Sequence, residues 1–273
     1  MNYNELVSEI KRKKSFLCVG LDTDITKIPS YLLSQSDDPV VEFNKQIIEA
    51  TLPYTLAYKL NFAFYEARGP KGLVSMERTM QFLNNRAFTI ADAKRGDIGN
   101  TAAMYAQSVF DYYKFDAITL SPYMGVDTIE PFLKYKKNWS IVLALTSNPG
   151  AEDFEMLETG EGKVYERVIK KLATSQMPEQ VMFVAGATRP ETFAIIRKHA
   201  PDHFLLVPGV GAQGGSLEEV CRYGMNNSVG LLINSSRQII YASSGKDFAA
   251  KAGDQAQIIQ KQMQQIMQDK GII

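Results

Sequence analysis

Eight short apolar or β-branched runs recur along the chain, each separated from the next by a stretch with helical spacing. This alternation restricts the possible folds more than any other feature. In order the runs are FLCVGLD (16–22), TLAYKLNFAFY (55–65), FTIADAK (88–94), AITLSPY (117–123), SIVLALTS (140–147), VMFVAGA (181–187), HFLLVPGV (203–210) and SVGLLINSS (228–236). Their near-continuous hydrophobicity, in place of clean alternation, is what parallel strands covered on their outer face require. The intervening segments, such as PVVEFNKQIIEAT (39–51) and GKVYERVIKKLAT (162–174), carry apolar residues at helical spacing. Eight strand–helix units in 273 residues predict an α/β fold, a (β/α)8 or TIM barrel, with a doubly wound open sheet as the structural alternative. No linker, repeat or low-complexity tract breaks the pattern, so residues 1–273 read as a single domain.

Charge and cysteine usage narrow the function. The chain has 30 Lys and Arg against 30 Asp and Glu, a balance that argues against a broad basic surface for nucleic acid or anionic membrane. The opening MNYNELVSEIKRKKS puts charges where a signal peptide needs its apolar core, and no apolar run approaches a membrane span. Cys18 and Cys221 form neither a disulfide framework nor a metal-binding spacing, which fits reduced thiols in a cytoplasmic protein. The basic run Lys11–Lys14 reads as a helix end, where cations favour the dipole, with a targeting patch as the alternative. The Gln-rich tail reads as a closing helix with a core-facing stripe of Ile258, Ile259, Met263, Ile266 and Met267. The segment NPGAEDFEMLETGEG (148–162) is the longest loop, of a length that suits a lid or binding loop.

In a parallel barrel, reactive groups belong at the C-terminal ends of the strands. Those ends carry Asp22 and Asp24, Lys59 and Asn61, Asp92, Lys94 and Asp97, then Ser121, Thr146 with Ser147, and Asn234 to Arg237. Charges ending apolar strands are expensive to desolvate unless paired. In Asp92-Ala-Lys94-Arg-Gly-Asp97, strand period two puts Asp92 and Lys94 on one face, and Gly96 is expected to let the chain turn so that Asp97 returns. An ammonium flanked by two carboxylates stays protonated, which makes Lys94 a poor nucleophile and a proton donor. A structural ion-pair cluster is the bland alternative, and Lys59 and Asp22 on neighbouring strands weigh against it. A magnesium site on Asp22 and Asp92 would compete with Lys59 and Lys94. His199 and His203, before the seventh run, and Trp139, before the fifth, fall at the opposite end of the barrel and read as structural, and Cys18 reads as a packed thiol.

Gly209-Val-Gly211-Ala-Gln-Gly214 fits the dinucleotide fingerprint in spacing but not in position, since it sits late in the chain and has Asn234 where an acidic residue is wanted. In a barrel the loops after strands seven and eight commonly bind phosphate through backbone N–H groups. Gln213 and Arg237 would complete such a site, with Arg237 supplying a planar fork.

Taken together these residues resemble the orotidine 5′-monophosphate decarboxylase family. The run Asp92-x-Lys94-x-x-Asp97-Ile98 followed by Thr101 is its signature, and the likeness extends through Leu21-Asp22, Lys59, Ser147, Pro208, Gln213 and Arg237. The loop 148–162 and the Asn234-Ser235-Ser236-Arg237 tail resemble its longer bacterial branch. The resemblance implies conversion of orotidine 5′-phosphate to UMP in pyrimidine biosynthesis, by a cytoplasmic homodimer without metal or organic cofactor. It implies that Asp22 and Lys59 hold ribose hydroxyls and that Lys59, Asp92, Lys94 and Asp97 make an alternating charged array. Asp97, Ile98 and Thr101 would come from the other subunit, Ser147 would bond the pyrimidine, and Gln213 and Arg237 would hold the phosphate, with Pro208 beside them. The nearest rival is a magnesium-dependent sugar-phosphate decarboxylase or aldolase of the same superfamily, which has a carboxylate where Lys59 stands. A non-catalytic barrel that binds a nucleotide phosphate is the rival of a different class.

Overall fold

The apolar runs become strands because their β-branched and aromatic side chains pack well on a pleated surface, and pairing with neighbouring strands satisfies the buried backbone. The computed structural model describes residues 1–175, 179–211 and 214–273. Its principal strands are β1 (Leu17–Gly20), β2 (Ala57–Asn61), β3 (Phe88–Arg95), β4 (Ala117–Leu120), β5 (Trp139–Leu145), β6 (Val181–Ala185), β7 (Leu205–Pro208) and β8 (Leu231–Ser235). Each pairs in parallel with the next, and β8 pairs with β1, so the sheet closes into a barrel. Each strand falls on one of the eight expected runs, β3 and β5 extending one residue beyond theirs at Arg95 and Trp139, and closure excludes the open-sheet alternative.

Helices cover the barrel with the faces that their spacing dictates. In Pro39–Thr51, Asp38 caps the first turn through Val41 N–H and Pro39 opens the helix where no donor is needed. Its buried face includes Phe43, which stacks on Phe248 of the closing helix Phe248–Asp269 at 4.9 Å between ring centroids. Truncating Phe248 to alanine would cost roughly 3–5 kcal/mol through the cavity left behind. The stripe expected on the closing helix needs one correction. Met263 and Met267 are buried, but Ile258 is 51% exposed, and the inner face is completed by Ala252, Ala256 and Gln260. At 3.6 residues per turn, Ile258 falls on the opposite side from Ala256 and Met263.

The N-terminal ends of the strands are sealed by the first helix, Tyr3–Lys13. Tyr3 packs against Phe204 and Trp139, and the Trp139 indole N–H donates to Met1 O at 2.8 Å. The Lys11–Lys14 run is the end of this helix, with Lys14 as its left-handed cap. His199 contacts Glu166 at 3.3 Å and His203 is buried, both at this end. Cys18 and Cys221 are buried, and desolvation pushes both thiols up to about 12. Loop 148–162 contains a turn at Pro149–Asp153 and leads into a short hairpin pairing Glu158–Thr159 with Gly162–Lys163. Among the described residues, no helix is long and apolar enough to cross a membrane.

Candidate active site

At the C-terminal mouth of the barrel, register decides which charges meet. Gly20 of β1 lies beside Lys59 of β2, and Asn61 of β2 beside Asp92 of β3. Side chains alternate along a strand, so Lys59, Asn61 and Asp92 point inward together. The Lys59 ammonium is 2.7 Å from Asp92 Oδ2 and 3.7 Å from Asp22 Oδ1. Lys94 Nζ is 2.5 Å from the other Asp92 oxygen. Burial alone would lower Lys59, but the carboxylates of Asp22 and Asp92 outweigh it and hold the ammonium above its ordinary value. Burial alone would raise Asp92, and the charges and hydrogen bonds of Lys59 and Lys94 bring it instead down to about 2.

Asp22 is held by a buried network that the sequence does not advertise. Thr23 Oγ1 donates to Asn44 Oδ1 at 2.6 Å, Asn44 Nδ2 donates to the Tyr65 hydroxyl, and that hydroxyl donates to Leu21 O. The Tyr241 hydroxyl donates to Asp22 O and accepts from Asp24 N–H. The backbone on both sides of Asp22 is thereby fixed, while its buried Oδ1 makes no hydrogen bond among the described residues.

These groups line a cavity of about 360 Å³ whose wall also includes Lys94, Ser147, Pro208 and Arg237. The opposite side is apolar. Leu143, Val184 and Leu206 stand in one register row across β5, β6 and β7, and all three line the cavity. A charged half from β1–β3 therefore faces a low-dielectric half from β5–β7, which strengthens every electrostatic interaction between them. Ser147 approaches β6 closely because Gly186 has no side chain: a Cβ there would lie 2.7 Å from Ser147 N. Glu155, from the long loop, accepts from Thr146 N–H and anchors the chain beside Ser147.

The phosphate-type loop lies at the same mouth. Gly209 and Val210 line the cavity beside Ser236 and Arg237, and Gly209 takes φ +96°, a conformation that favours glycine. Arg237 is exposed, and its guanidinium makes no hydrogen bond or ion pair among the described residues. Gln213 lies outside the described residues.

Three expected residues do not reach the cavity within one chain. Asp97 accepts from the Ile98 amide at 2.8 Å, Ile98 is 56% exposed, and Thr101 is exposed on the following helix, Gly99–Ala106. The expected return of Asp97 around Gly96 is not what the chain does. The left-handed residues of this turn are Lys94 and Gly99, whereas Gly96 is small because a Cβ would lie 3.1 Å from Ser121 O. Sequence reading also passed over Thr119, Asn148 and the apolar row, all in the cavity wall. A lone threonine or leucine inside an apolar strand carries no pattern that marks it as functional. A wider groove of about 820 Å³ beside Val126, Ile129 and Val168 contains no member of the Asp/Lys array.

Comparison with known proteins agrees with the geometry over nearly the whole chain. The sequence profile of the Orotidine 5′-phosphate decarboxylase / HUMPS family matches residues 15–252. The orotidine 5′-phosphate decarboxylase of Parabacteroides distasonis is 56% identical over 277 aligned positions, covering 100% of this chain and 99% of that protein. That of Flavobacterium johnsoniae is 53% identical, covering 99% and 100%. The solved structure of Leishmania donovani OMP decarboxylase superposes with a TM-score of 0.80 at 35% identity, covering 96% of this chain and 99% of that one.

Proposed function

Because the chain belongs to the Orotidine 5′-phosphate decarboxylase / HUMPS family, we propose that it decarboxylates orotidine 5′-phosphate to UMP in pyrimidine biosynthesis, as a cytoplasmic single-domain carboxy-lyase that works as a homodimer. The observation that carries this reading is the Asp22–Lys59–Asp92–Lys94 array at the cavity wall. Breaking the C6–carboxylate bond releases CO2 and leaves its electron pair on C6, without an obvious conjugated sink. Stabilisation must therefore be electrostatic, or come from immediate protonation. The Lys94 ammonium supplies both, giving a proton to C6 and being reprotonated from solvent. Asp92 faces the substrate carboxylate and adds ground-state repulsion.

The remaining residues bind. Asp22 Oδ1, buried without a hydrogen-bond donor among the described residues, fits a ribose hydroxyl, since buried acceptors are normally satisfied, and the Lys59 ammonium beside it donates to the ribose as well. Ser147 bonds the pyrimidine, and Arg237 and Gln213 hold the phosphate, with Pro208 beside them. Asp97, Ile98 and Thr101 enter the partner's cavity, consistent with Ile98 being 56% exposed in one chain. Phosphate binding far from C6 is converted into transition-state stabilisation by closure of the loop 148–162. The reaction needs no metal: Lys59 and Lys94 place two positive charges where a dication would have to sit.

Loss of orotidine 5′-phosphate absorbance in a chelator-treated sample tests the reading, and turnover should persist undiminished. Activity abolished by EDTA and restored by magnesium would favour the sugar-phosphate chemistry instead. UMP binding without turnover would indicate a binding barrel.

A further inference from the structure

The β3–β4 ladder is irregular where the chemistry sits. Ile90 and Ala91 pair with Ala117 and Ile118, and pairing resumes only at Arg95 with Leu120. Asp92, Ala93 and Lys94 on β3 thus stand opposite the single residue Thr119 on β4. Regular pairing cannot serve the amides of the excess residues, and a buried N–H without an acceptor is costly. Thr119, 1% exposed, takes over that task. Its Oγ1 lies 2.9 Å from Ala93 N and 2.9 Å from Lys94 N, accepting from both. The same hydroxyl donates to Asp92 Oδ1 at 3.1 Å, with Ala91 O a longer alternative at 3.5 Å. A hydroxyl has one proton and two lone pairs, so this one is fully used.

The held segment has an unusual shape. Lys94 takes φ +49°, a left-handed conformation that carries a steric cost for a residue with a Cβ. From that conformation its ammonium reaches Asp92 Oδ1, the oxygen to which Thr119 donates. One side chain therefore touches the backbone of the lysine and the carboxylate of its partner at once.

We propose that Thr119 is a positioning residue, whose hydroxyl locks the strand irregularity that aims Lys94 and orients Asp92. This role rests on the decarboxylase reading for its kinetic consequence, but the backbone lock is a property of the free protein. The test compares Thr119→Val, which removes the hydroxyl at nearly constant shape, with Thr119→Ser, which keeps it; Thr119→Ala replaces the valine variant should that not fold. Amide hydrogen exchange in the substrate-free protein should speed up about tenfold or more at Ala93 and Lys94 in Thr119→Val and stay near wild type in Thr119→Ser. The Thr89 amide, bonded to Asp116, should be unaffected in both. Displacing a reacting group by about an ångström can cost about 100-fold. The kcat of Thr119→Val on orotidine 5′-phosphate should accordingly fall about 10- to 100-fold, with KM within about threefold and Thr119→Ser restoring it. Unchanged exchange at Ala93 and Lys94, or faster exchange with wild-type kcat, overturns the proposal. So does a loss carried by KM alone. A wild-type protein inert toward orotidine 5′-phosphate overturns the decarboxylase reading, and the exchange comparison still decides whether Thr119 holds the turn.

Discussion

Lys59 Nζ sits 2.7 Å from Asp92 Oδ2 and 3.7 Å from Asp22 Oδ1, so a single buried ammonium is shared by carboxylates from the elements on either side of its strand. Burying an ion pair is not in itself stabilising, because both partners lose water. Here the geometry recovers that loss: against the cost of burial, Lys59 and Lys94 bring Asp92 down to about 2, and Asp22 and Asp92 hold Lys59 above its ordinary value.

Stability should follow these directions with pH. Asp92 has a folded value of about 2 against an ordinary 3.8, so its contribution is present above the ordinary value and is lost as pH falls through the folded one. A shift of this size corresponds to roughly 2 kcal/mol. Lys59 runs the other way: its contribution is present below 10.5 and is lost only as pH rises through its raised folded value. Urea unfolding of wild type and Asp92→Asn should therefore differ most at neutral pH, and the gap should shrink as pH falls from about 4 towards 2. A gap that stayed constant across that range would mean that folding leaves the Asp92 carboxyl at its ordinary value, so that its ion pairs add no pH-dependent stability.

Lys94 is 49% exposed along its side chain and bonded to one Asp92 oxygen, an arrangement that leaves the ammonium open to a bound substrate. Lys94→Ala should lower kcat by at least the roughly 10²–10⁴-fold that a general acid contributes. UMP formed by the wild type in D2O should carry deuterium at C6, readable by NMR. Near-normal kcat in the variant would remove Lys94 from the chemistry.

How much of this was readable beforehand depends on how local each signal is. Eight buried parallel strands need eight near-continuous apolar runs, so the barrel is written along the chain. Lys59 and Asp92 are legible for the same reason, as charges ending apolar strands at positions where strand period two turns them inward. The conformation of Lys94 is different in kind. Nothing near residue 94 announces φ +49°, because the constraint comes from Thr119 across a ladder irregularity that has no sequence signature. Asp97 shows the same limit: its spacing from Lys94 suggested a return within one chain, whereas Lys94 and Gly99 supply the left-handed turns and Asp97 stays off the cavity wall. Ile258 departs from the expected stripe because adjacent apolar residues on a helix cannot all face the core.

Arg237 follows β8 and lines the cavity with an exposed side chain. If it holds the phosphate, Arg237→Ala should raise KM for orotidine 5′-phosphate, and kcat should fall as well where that contact drives closure. The phosphate-free nucleoside is the control. Wild type and variant should process it alike, since neither has a phosphate to hold. Equal impairment on both substrates would indicate misfolding or another role.

The assembly prediction follows from Asp97, Ile98 and Thr101 lying off the cavity of their own chain. If Asp97 completes a partner's site, each site combines Lys94 from one subunit with Asp97 from the other. Lys94→Ala and Asp97→Ala proteins, each nearly inactive, should then complement when mixed and allowed to exchange subunits. In a mixed dimer one site collects both substitutions and the other collects neither. Random exchange of equal amounts makes half of the dimers mixed, with one intact site in two, so about a quarter of wild-type activity should return. Native mass measurement of the same mixture reports whether mixed dimers formed. If they are present and the mixture stays inactive, Asp97 acts within its own chain, and the exposed Ile98–Thr101 segment serves some other contact.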